Sequence, residues 1–211
     1  NLKLNPDKLV ISEEVEFGGS VISAETVKQE EIIFISPKNK RIRAFQELKK
    51  PTSKKEVQIF CGMLASLQNW FPSIPLNIPN LRKATAGASH FSWTQILEEE
   101  YAAVKNIMTS QISLSPYDPE KKLRLVIDGA SSVGVGFVLF QFLSDEDPKK
   151  GAVIINANSS LLSESQIGYS PIDAEMISLD FASRACHYWI WCAPQIELYS
   201  DCSGLLDMLN K

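Results

Sequence analysis

The order of apolar runs in the second half of the chain constrains the fold more than any other feature. Leu123 to Ile127, Gly134 to Phe142 and Gly151 to Ala157 are three short strand-like runs. Gly129-Ala130-Ser131 and the acidic, proline-containing Ser144 to Lys150 separate them, and connections this short predict an antiparallel meander. A helix follows, with Ser170 in N-cap place, Pro171 at the first helical position and Asp173 at the third, running to about Trp189. Ile196 to Tyr199 reads as a fourth strand. A strand that follows a long helix is most simply laid parallel to the sheet by a right-handed crossover. The prediction is three antiparallel strands, a helix, then a parallel strand.

The first half alternates differently. Leu9 to Ile11, Val15 to Phe17, Val21 to Ser23 and Ile32 to Ile35 read as short strands of a small antiparallel sheet, and Gly18-Gly19 marks a bend where another backbone approaches. From Lys38 the period becomes helical, with Ile42, Phe45 and Leu48 in register. Ser53 and Glu56 stand in capping-box register, so a second helix is predicted there, carrying Val57, Phe60, Leu64 and Leu67 on one side. Asn69 to Pro72 ends it, and Pro72, Pro75 and Pro79 make an extended link. Leu81 and Arg82 open a short segment closed by Gly87. Ser92-Trp93-Thr94 leads into a helix with Ile96, Tyr101, Val104 and Met108 as apolar positions. A domain boundary is placed near Pro119, which divides the chain into 1–36, 37–119 and 120–211.

Composition excludes some classes. Hydrophobic residues make up 45% and charged residues 22% of the chain, ordinary for a globular protein. The longest apolar runs fall far short of the roughly 20 residues a membrane helix needs. The four cysteines, at 61, 186, 192 and 202, form no Cys-x-x-Cys pair, and reduced thiols point to an intracellular setting, cytoplasm or nucleus. Net charge is −4 but uneven: residues 38–55 hold eight bases and one acid, whereas residues 163–211 hold seven acids and two bases. Lys38, Lys40, Arg41 and Arg43 are candidate phosphate contacts; the plain alternative is a solvated helix face. Tyr188, Trp189 and Trp191 read as core, His187 as a packed or hydrogen-bonded residue, and His90 as a loop residue.

Three carboxylates sit where carboxylates are rare. Asp128 and Asp201 each end an apolar strand. Positions 172, 175, 179, 182 and 186 share one helical stripe, so Glu175 points where the core side of its helix points. Burying an unpaired carboxylate costs several kcal/mol, and no Lys or Arg lies near Glu175 on the helix. Two acids at strand ends and one on the facing helix could converge on Mg²⁺ or Mn²⁺, which favour hard oxygen ligands. Two such ions can activate water and stabilise the leaving oxygen in phosphodiester cleavage. Each acid also has an ordinary structural reading: Asp128 as a turn starter, Asp201 as a cap for a helix beginning at Leu205, and Glu175 as a snorkelling rim residue.

The strings Asp128-Gly-Ala-Ser-Ser-Val-Gly134-Val-Gly136-Phe-Val-Leu-Phe-Gln141 and Ser160-Leu-Leu-Ser-Glu-Ser-Gln-Ile-Gly-Tyr169-Ser-Pro-Ile-Asp-Ala-Glu175 resemble the RNase H domain of gypsy-type retrotransposon polyproteins. His187-Tyr188 followed by Tyr199-Ser200-Asp201-Cys-Ser-Gly-Leu205 is similar to that family's "his-tyr…thr-asp-his-x-x-leu" segment. In the first half, Glu16 to Ser23 looks like the strand pair that grips the primer end, with Gly18 and Gly19 at its bend. Phe45 to Phe71 looks like the thumb and connection. The resemblance implies an α+β chain: the end of a reverse transcriptase palm with a small antiparallel sheet, a helical thumb and connection, then an incomplete RNase H-like mixed sheet. It further implies that Asp128, Glu175 and Asp201 are the first three metal-binding acids of a site that cuts RNA in an RNA–DNA hybrid. The partners implied are that hybrid or another nucleic acid and the rest of the Pol polyprotein, with no membrane.

Two departures from the family pattern bear on the site. The family has five positions from the first acid to the first hairpin glycine, whereas Asp128 to Gly134 spans six. An ungapped match would put Gly129 in the acid's place; a turn one residue longer keeps Asp128 there. The fourth acid and the catalytic-loop histidine of the family fall beyond Lys211, and the polymerase aspartates fall upstream. The chain is therefore expected to be a fragment with weak or no nuclease activity of its own. A truncated or domesticated derivative that binds nucleic acid or a protein partner is the alternative.

Overall fold

The computed structural model describes residues 12–27, 30–86 and 91–210. The expected strand at Leu9 to Ile11, the segment end at Gly87 and the loop residue His90 lie outside them. Strands β1 (Glu14–Phe17), β2 (Ser20–Val27) and β3 (Glu30–Pro37) form an antiparallel sheet in that order. Gly18 and Gly19 join Phe17 to Ser20 with φ of 58° and 86°. A two-residue hairpin turn of type I′ requires positive φ at both positions, which glycine adopts without a Cβ penalty. Strands β2 and β3 run further than the apolar runs that predicted them. Glu25, Thr26, Glu30 and Glu31 pair in the ladder while carrying no hydrophobic signal.

Helices α1 (Asn39–Gln46), α2 (Lys54–Ala65), α3 (Pro79–Ala84) and α4 (Gln95–Ile107) surround one core containing Phe45, Val57, Phe60, Leu64, Leu81 and Val104. Ser53 caps α2 by accepting from Glu56 N at 3.3 Å, and Glu56 reaches back to Thr52 N at 2.6 Å. The reciprocal bond of the predicted box thus falls one residue upstream of the cap. Thr94 caps α4. On α4 the expectation for Ile96 is corrected. It is 54% exposed, and Leu97 takes the buried place, because the apolar arc is centred one residue further along. Long polar side chains close the exposed helix ends. Lys105 Nζ donates to the carbonyls of Phe45, Gln46 and Leu48 at the end of α1. Glu100 accepts from Asn80 N and Leu81 N at the start of α3, where unpaired N–H groups favour a carboxylate.

Strands β4 (Leu123–Ala130), β5 (Gly134–Phe142) and β6 (Ala152–Leu161) form the predicted meander. Helix α5 (Pro171–Cys192) crosses over to β7 (Ile196–Tyr199), which lies parallel to β4. The sheet order is β6-β5-β4-β7. Leu123, Leu125, Ile127, Phe137 and Leu139 alternate onto one face and pack against Ala182 and Cys186 of α5. The short α6 (Ser203–Leu209) seats Leu205 in the same core; its N-cap position is Cys202 rather than Asp201. Two aromatic residues read as core are not. Tyr188 is 75% and Trp191 89% exposed, whereas Trp189 packs on the core. The last fully buried residue of α5 is Cys186; beyond it Trp189 and Ile190 still pack on the core, and Tyr188 and Trp191 fall on the outer side of the helix. His187 is exposed there too, its ring 4.4 Å from that of Tyr188.

Leu114 stitches the halves together. It bridges antiparallel to Ile35 of β3 and parallel to Ile154 of β6, and Ser115 N donates to Ile154 O at 2.7 Å. Ser159 Oγ of β6 donates to the carbonyl of Pro72.

Candidate functional site

The site is set by how α5 starts. Ser170 Oγ accepts from Asp173 N at 3.2 Å and Asp173 returns the bond to Ser170 N at 3.3 Å, a full capping box with Pro171 at the first position. This start fixes the helical phase and turns Glu175 toward β4. Glu175 is only 3% exposed. Its Oε1 accepts from Gly129 N at 3.1 Å and its Oε2 from Ser200 Oγ at 3.1 Å. One turn on, the fully buried Ser178 hydroxyl is shared between the carbonyls of Gly136, at 2.8 Å, and Asp128, at 3.1 Å.

These bonds require the helix backbone to lie against β4. A Cβ on Gly129 would meet the Ala174 carbonyl carbon and oxygen at 2.5 Å and Glu175 N at 2.8 Å. No side chain of any kind fits at position 129 with the helix at this depth. The β4–β5 ladder pairs Asp128 with Gly136 and Ala130 with Gly134, leaving a turn at residues 131–133.

Burial pushes the Glu175 carboxyl above the usual carboxylate range. The bonds from Gly129 and Ser200 oppose this, while the nearby charges of Asp201 and, least, Asp128 reinforce it. No cation is among its hydrogen-bond partners. Asp128 lies on the other face of β4 from Leu125 and Ile127, in a shallow cleft of about 280 Å³ with Val126, Val138, Pro72 and Leu76. Asp201 follows β7 and is exposed. The structure therefore brings Asp128 and Asp201 into electrostatic range of Glu175 without closing the three into one cage. Among the described residues, no group of three or more His, Cys, Asp or Glu is placed to hold a metal ion. Glu175 and Asp201 offer hard oxygen donors, but at the place on β4 that faces Glu175 the chain has Gly129, which offers no carboxylate.

The basic candidates separate into two sets. Lys38 pairs with Glu16, and Arg41 donates to Gly19 O at 3.4 Å and Ser66 Oγ at 2.9 Å, so both brace the Gly18-Gly19 hairpin. Lys40 and Arg43 face solvent on α1. Sequence reasoning missed Ser178 and Ser200. Ser178 carries a readable signal, a small polar residue three positions from Glu175 and so on the same helical face. Ser200 carries none beyond standing beside Asp201.

A mixed sheet of this order, crossed by a helix that presents a buried glutamate to the first strand, defines an RNase H-like α+β fold. Residues 93–198 match the family of RNase H-like domains found in reverse transcriptase, and the chain belongs to that family. It is 26% identical over 213 residues to the retrovirus-related Pol polyprotein from transposon opus of Drosophila melanogaster, covering 95% of this chain and 20% of that protein. It is 30% identical over 149 residues to the transposon Tf2-3 polyprotein of Schizosaccharomyces pombe, covering 68% of this chain and 10% of that protein. The chain thus spans a fifth or less of these curated relatives and is similar to a segment of a retrotransposon Pol polyprotein. The foamy viral protease-reverse transcriptase shares its fold. The complex with dsDNA superposes with a TM-score of 0.75 at 17% identity, covering 96% of this chain and 39% of that one. The complex with RNA/DNA hybrid gives the same TM-score and identity, covering 94% and 25%. Among the described residues no helix is long and apolar enough to cross a membrane.

Proposed function

We propose that this chain carries the palm end, thumb, connection and RNase H-like part of a retrotransposon reverse transcriptase, whose parent polyprotein copies RNA into DNA and cleaves the RNA of RNA–DNA hybrids. The observation that carries the nuclease reading is Glu175, buried, held at both oxygens by neutral donors and within electrostatic range of Asp201 and, more weakly, Asp128. Of the three acids expected to hold Mg²⁺ or Mn²⁺, Glu175 and Asp201 would hold it, Asp128 standing on the far face of β4, and the bound ion would supply Lewis acidity and an activated water for hydrolysis of an RNA phosphodiester. The chain's own part is positional. Gly129 N and Ser200 Oγ fix the glutamate, and Ser178 fixes the helix that bears it. The hairpin at Gly18-Gly19, with Lys38 and Arg41 behind it and Lys40 and Arg43 beside it, would bind the nucleic acid by its phosphates and groove shape.

A second reading has its own support. Asp128 opens to the cleft face of β4, and no ready metal cage stands among the described residues. A non-catalytic derivative that binds nucleic acid or a protein partner fits that arrangement. Cleavage of an RNA–DNA hybrid in Mn²⁺ separates the two. Activity lost in Glu175→Gln supports the nuclease. Equal activity in that variant removes the site, and absence of all cleavage with salt-sensitive hybrid binding retained supports the second reading.

A further inference from the structure

We propose that Leu114 splices the two halves of the chain into one cooperative unit, an inference independent of the nuclease reading above. Two cores joined by a linker move against each other by default unless a large apolar interface holds them. Here the link is a single residue that acts as a strand. Leu114 exchanges both backbone bonds with Ile35 of β3, at 2.6 and 3.0 Å, and Ser115 N donates to Ile154 O of β6 at 2.7 Å. The three-stranded and the four-stranded sheet therefore meet on either side of one residue. Leu114 and Ile35 pack against the first core, and Tyr117, just downstream, packs against the second.

Side chains lock this seam from both halves. Ile35 O accepts from Trp70 Nε1 at 3.1 Å as well as from Leu114 N, so both its lone pairs are engaged. Ser115 Oγ donates to Ile33 O at 2.7 Å. On the other side, Gln141 of β5 is 1% exposed. Its Oε1 accepts from Asp118 N at 2.9 Å, and its Nε2 donates to the carbonyls of Asp118 and Lys121 at 2.8 and 3.0 Å. Pulling the linker off β5 would leave that buried amide unpaired, which is costly. The family match crosses the seam as well. It begins at residue 93, yet Leu97, Val104 and Met108 within it belong to the first core. The boundary near Pro119 thus parts two cores but not two folding units. A molecule that touches both the Gly18-Gly19 hairpin and the RNase H-like half meets them at a separation fixed by the protein.

The test is urea unfolding read by pulsed hydrogen exchange and mass spectrometry, which follows peptides of each half separately. Leu64→Ala opens a cavity in the first core, where Leu64 is fully buried. It should lower the first-half midpoint by about 1–2.5 M urea, and coupling should lower the β5 and α5 peptides by the same amount. Leu114→Pro leaves no N–H for Ile35 O, and in that background Leu64→Ala should move the first half alone. Leu114→Ala keeps every backbone bond and should keep the halves coupled. Gln141→Met removes the lock from within the second half and takes the place of Leu114→Pro should the proline variant not fold. A second-half midpoint unmoved by Leu64→Ala in the otherwise unmodified chain overturns the proposal. Joint movement that persists in Leu114→Pro, or in Gln141→Met where that variant decides, overturns it equally.

Discussion

Replacing Gly129 with alanine adds one methyl group to the most tightly closed contact of the site. That methyl would sit 2.5 Å from the Ala174 carbonyl, where ordinary contacts begin near 3.4 Å. Both sides are backbone, so no side chain can swing away, and α5 must retreat from β4 by about 1 Å. The retreat stretches the Gly129 N to Glu175 bond and both Ser178 bonds, now 2.8 to 3.1 Å, past hydrogen-bond length. A bond to a charged group is worth about 1.5–3 kcal/mol and a neutral one about 1 kcal/mol. Overpacking alone costs about 1–3 kcal/mol. A loss on the order of 3–5 kcal/mol is expected, large against a total of about 5–15 kcal/mol. Gly136→Ala is the control, because a Cβ there meets only ordinary contacts at 3.6 and 3.8 Å. Urea unfolding with a slope of about 2 kcal/mol/M should show the Gly129→Ala midpoint falling by about 1.5–2.5 M and Gly136→Ala nearly unmoved. Equal midpoints for the two variants would refute the claim that backbone contact at Gly129 sets the depth of α5.

The raised pKa of Glu175 gives a pH prediction with a definite sign. The folded chain binds that proton more tightly than the unfolded chain, so this group's contribution is lost as pH rises from about 4.3 through the raised folded value. In EDTA, Glu175→Gln should therefore be at least as stable as the unmodified chain at pH 7, with the gap closing by pH 4. Urea midpoints across that range check it, and an unmodified chain that gains on the variant as pH rises contradicts it. Lys105→Met removes three bonds to the end of α1 and should cost about 1–3 kcal/mol, read as a urea midpoint; no shift would mean those carbonyls are equally well solvated. Arg124 is buried between Asp145 and Glu197 and over the Phe142 ring. Arg124→Met should cost about 2–4 kcal/mol, toward the low side for a broken buried pair because both acids keep some exposure, and a double-mutant cycle with Glu197→Gln should show coupling. Substituting Lys40 and Arg43 with alanine should lower the salt slope of hybrid binding by about 0.9 per lost phosphate contact; an unchanged slope assigns them to a solvated face.

Apolar runs bounded by turn residues marked the ends of β5 and β7 to the residue. Strands that continue through polar residues did not announce themselves. Strand β4 pairs through Asp128, Gly129 and Ala130, and β6 through Asn158, Ser159 and Ser160. Their partners lie on another strand, and a ladder needs only backbone. The start of α5 was legible because capping chemistry is local. The exposure of Tyr188 and Trp191 follows from helical phase as well: the stripe through Ala182 and Cys186 continues to Trp189 and Ile190 and leaves those two on the outer side. Burial of Glu175 was legible from its stripe. The donors that make burial tolerable were not, since Gly129 and Ser200 lie 46 and 25 residues away.

The arrangement around Glu175 is hard to explain as structure alone. A buried carboxylate without a cation is less stable than a well-packed apolar or amide side chain of similar size. A stable α5–β4 contact needs nothing more than a small residue at 129 and an apolar one at 175. Instead, one amide and one hydroxyl are aimed at the two oxygens, and two further acids stand within electrostatic range, raising the cost again. Burial and the two neighbouring charges oppose ionisation of Glu175, and the two donors offset them only in part. A divalent ion reverses the sign of the charge repulsion, because each carboxylate then neutralises the ion instead of crowding its neighbour. The same reversal predicts that added Mn²⁺ should raise the urea midpoint of the unmodified chain and leave that of Glu175→Gln unmoved. Stabilisation of both variants to the same degree would place the ion elsewhere.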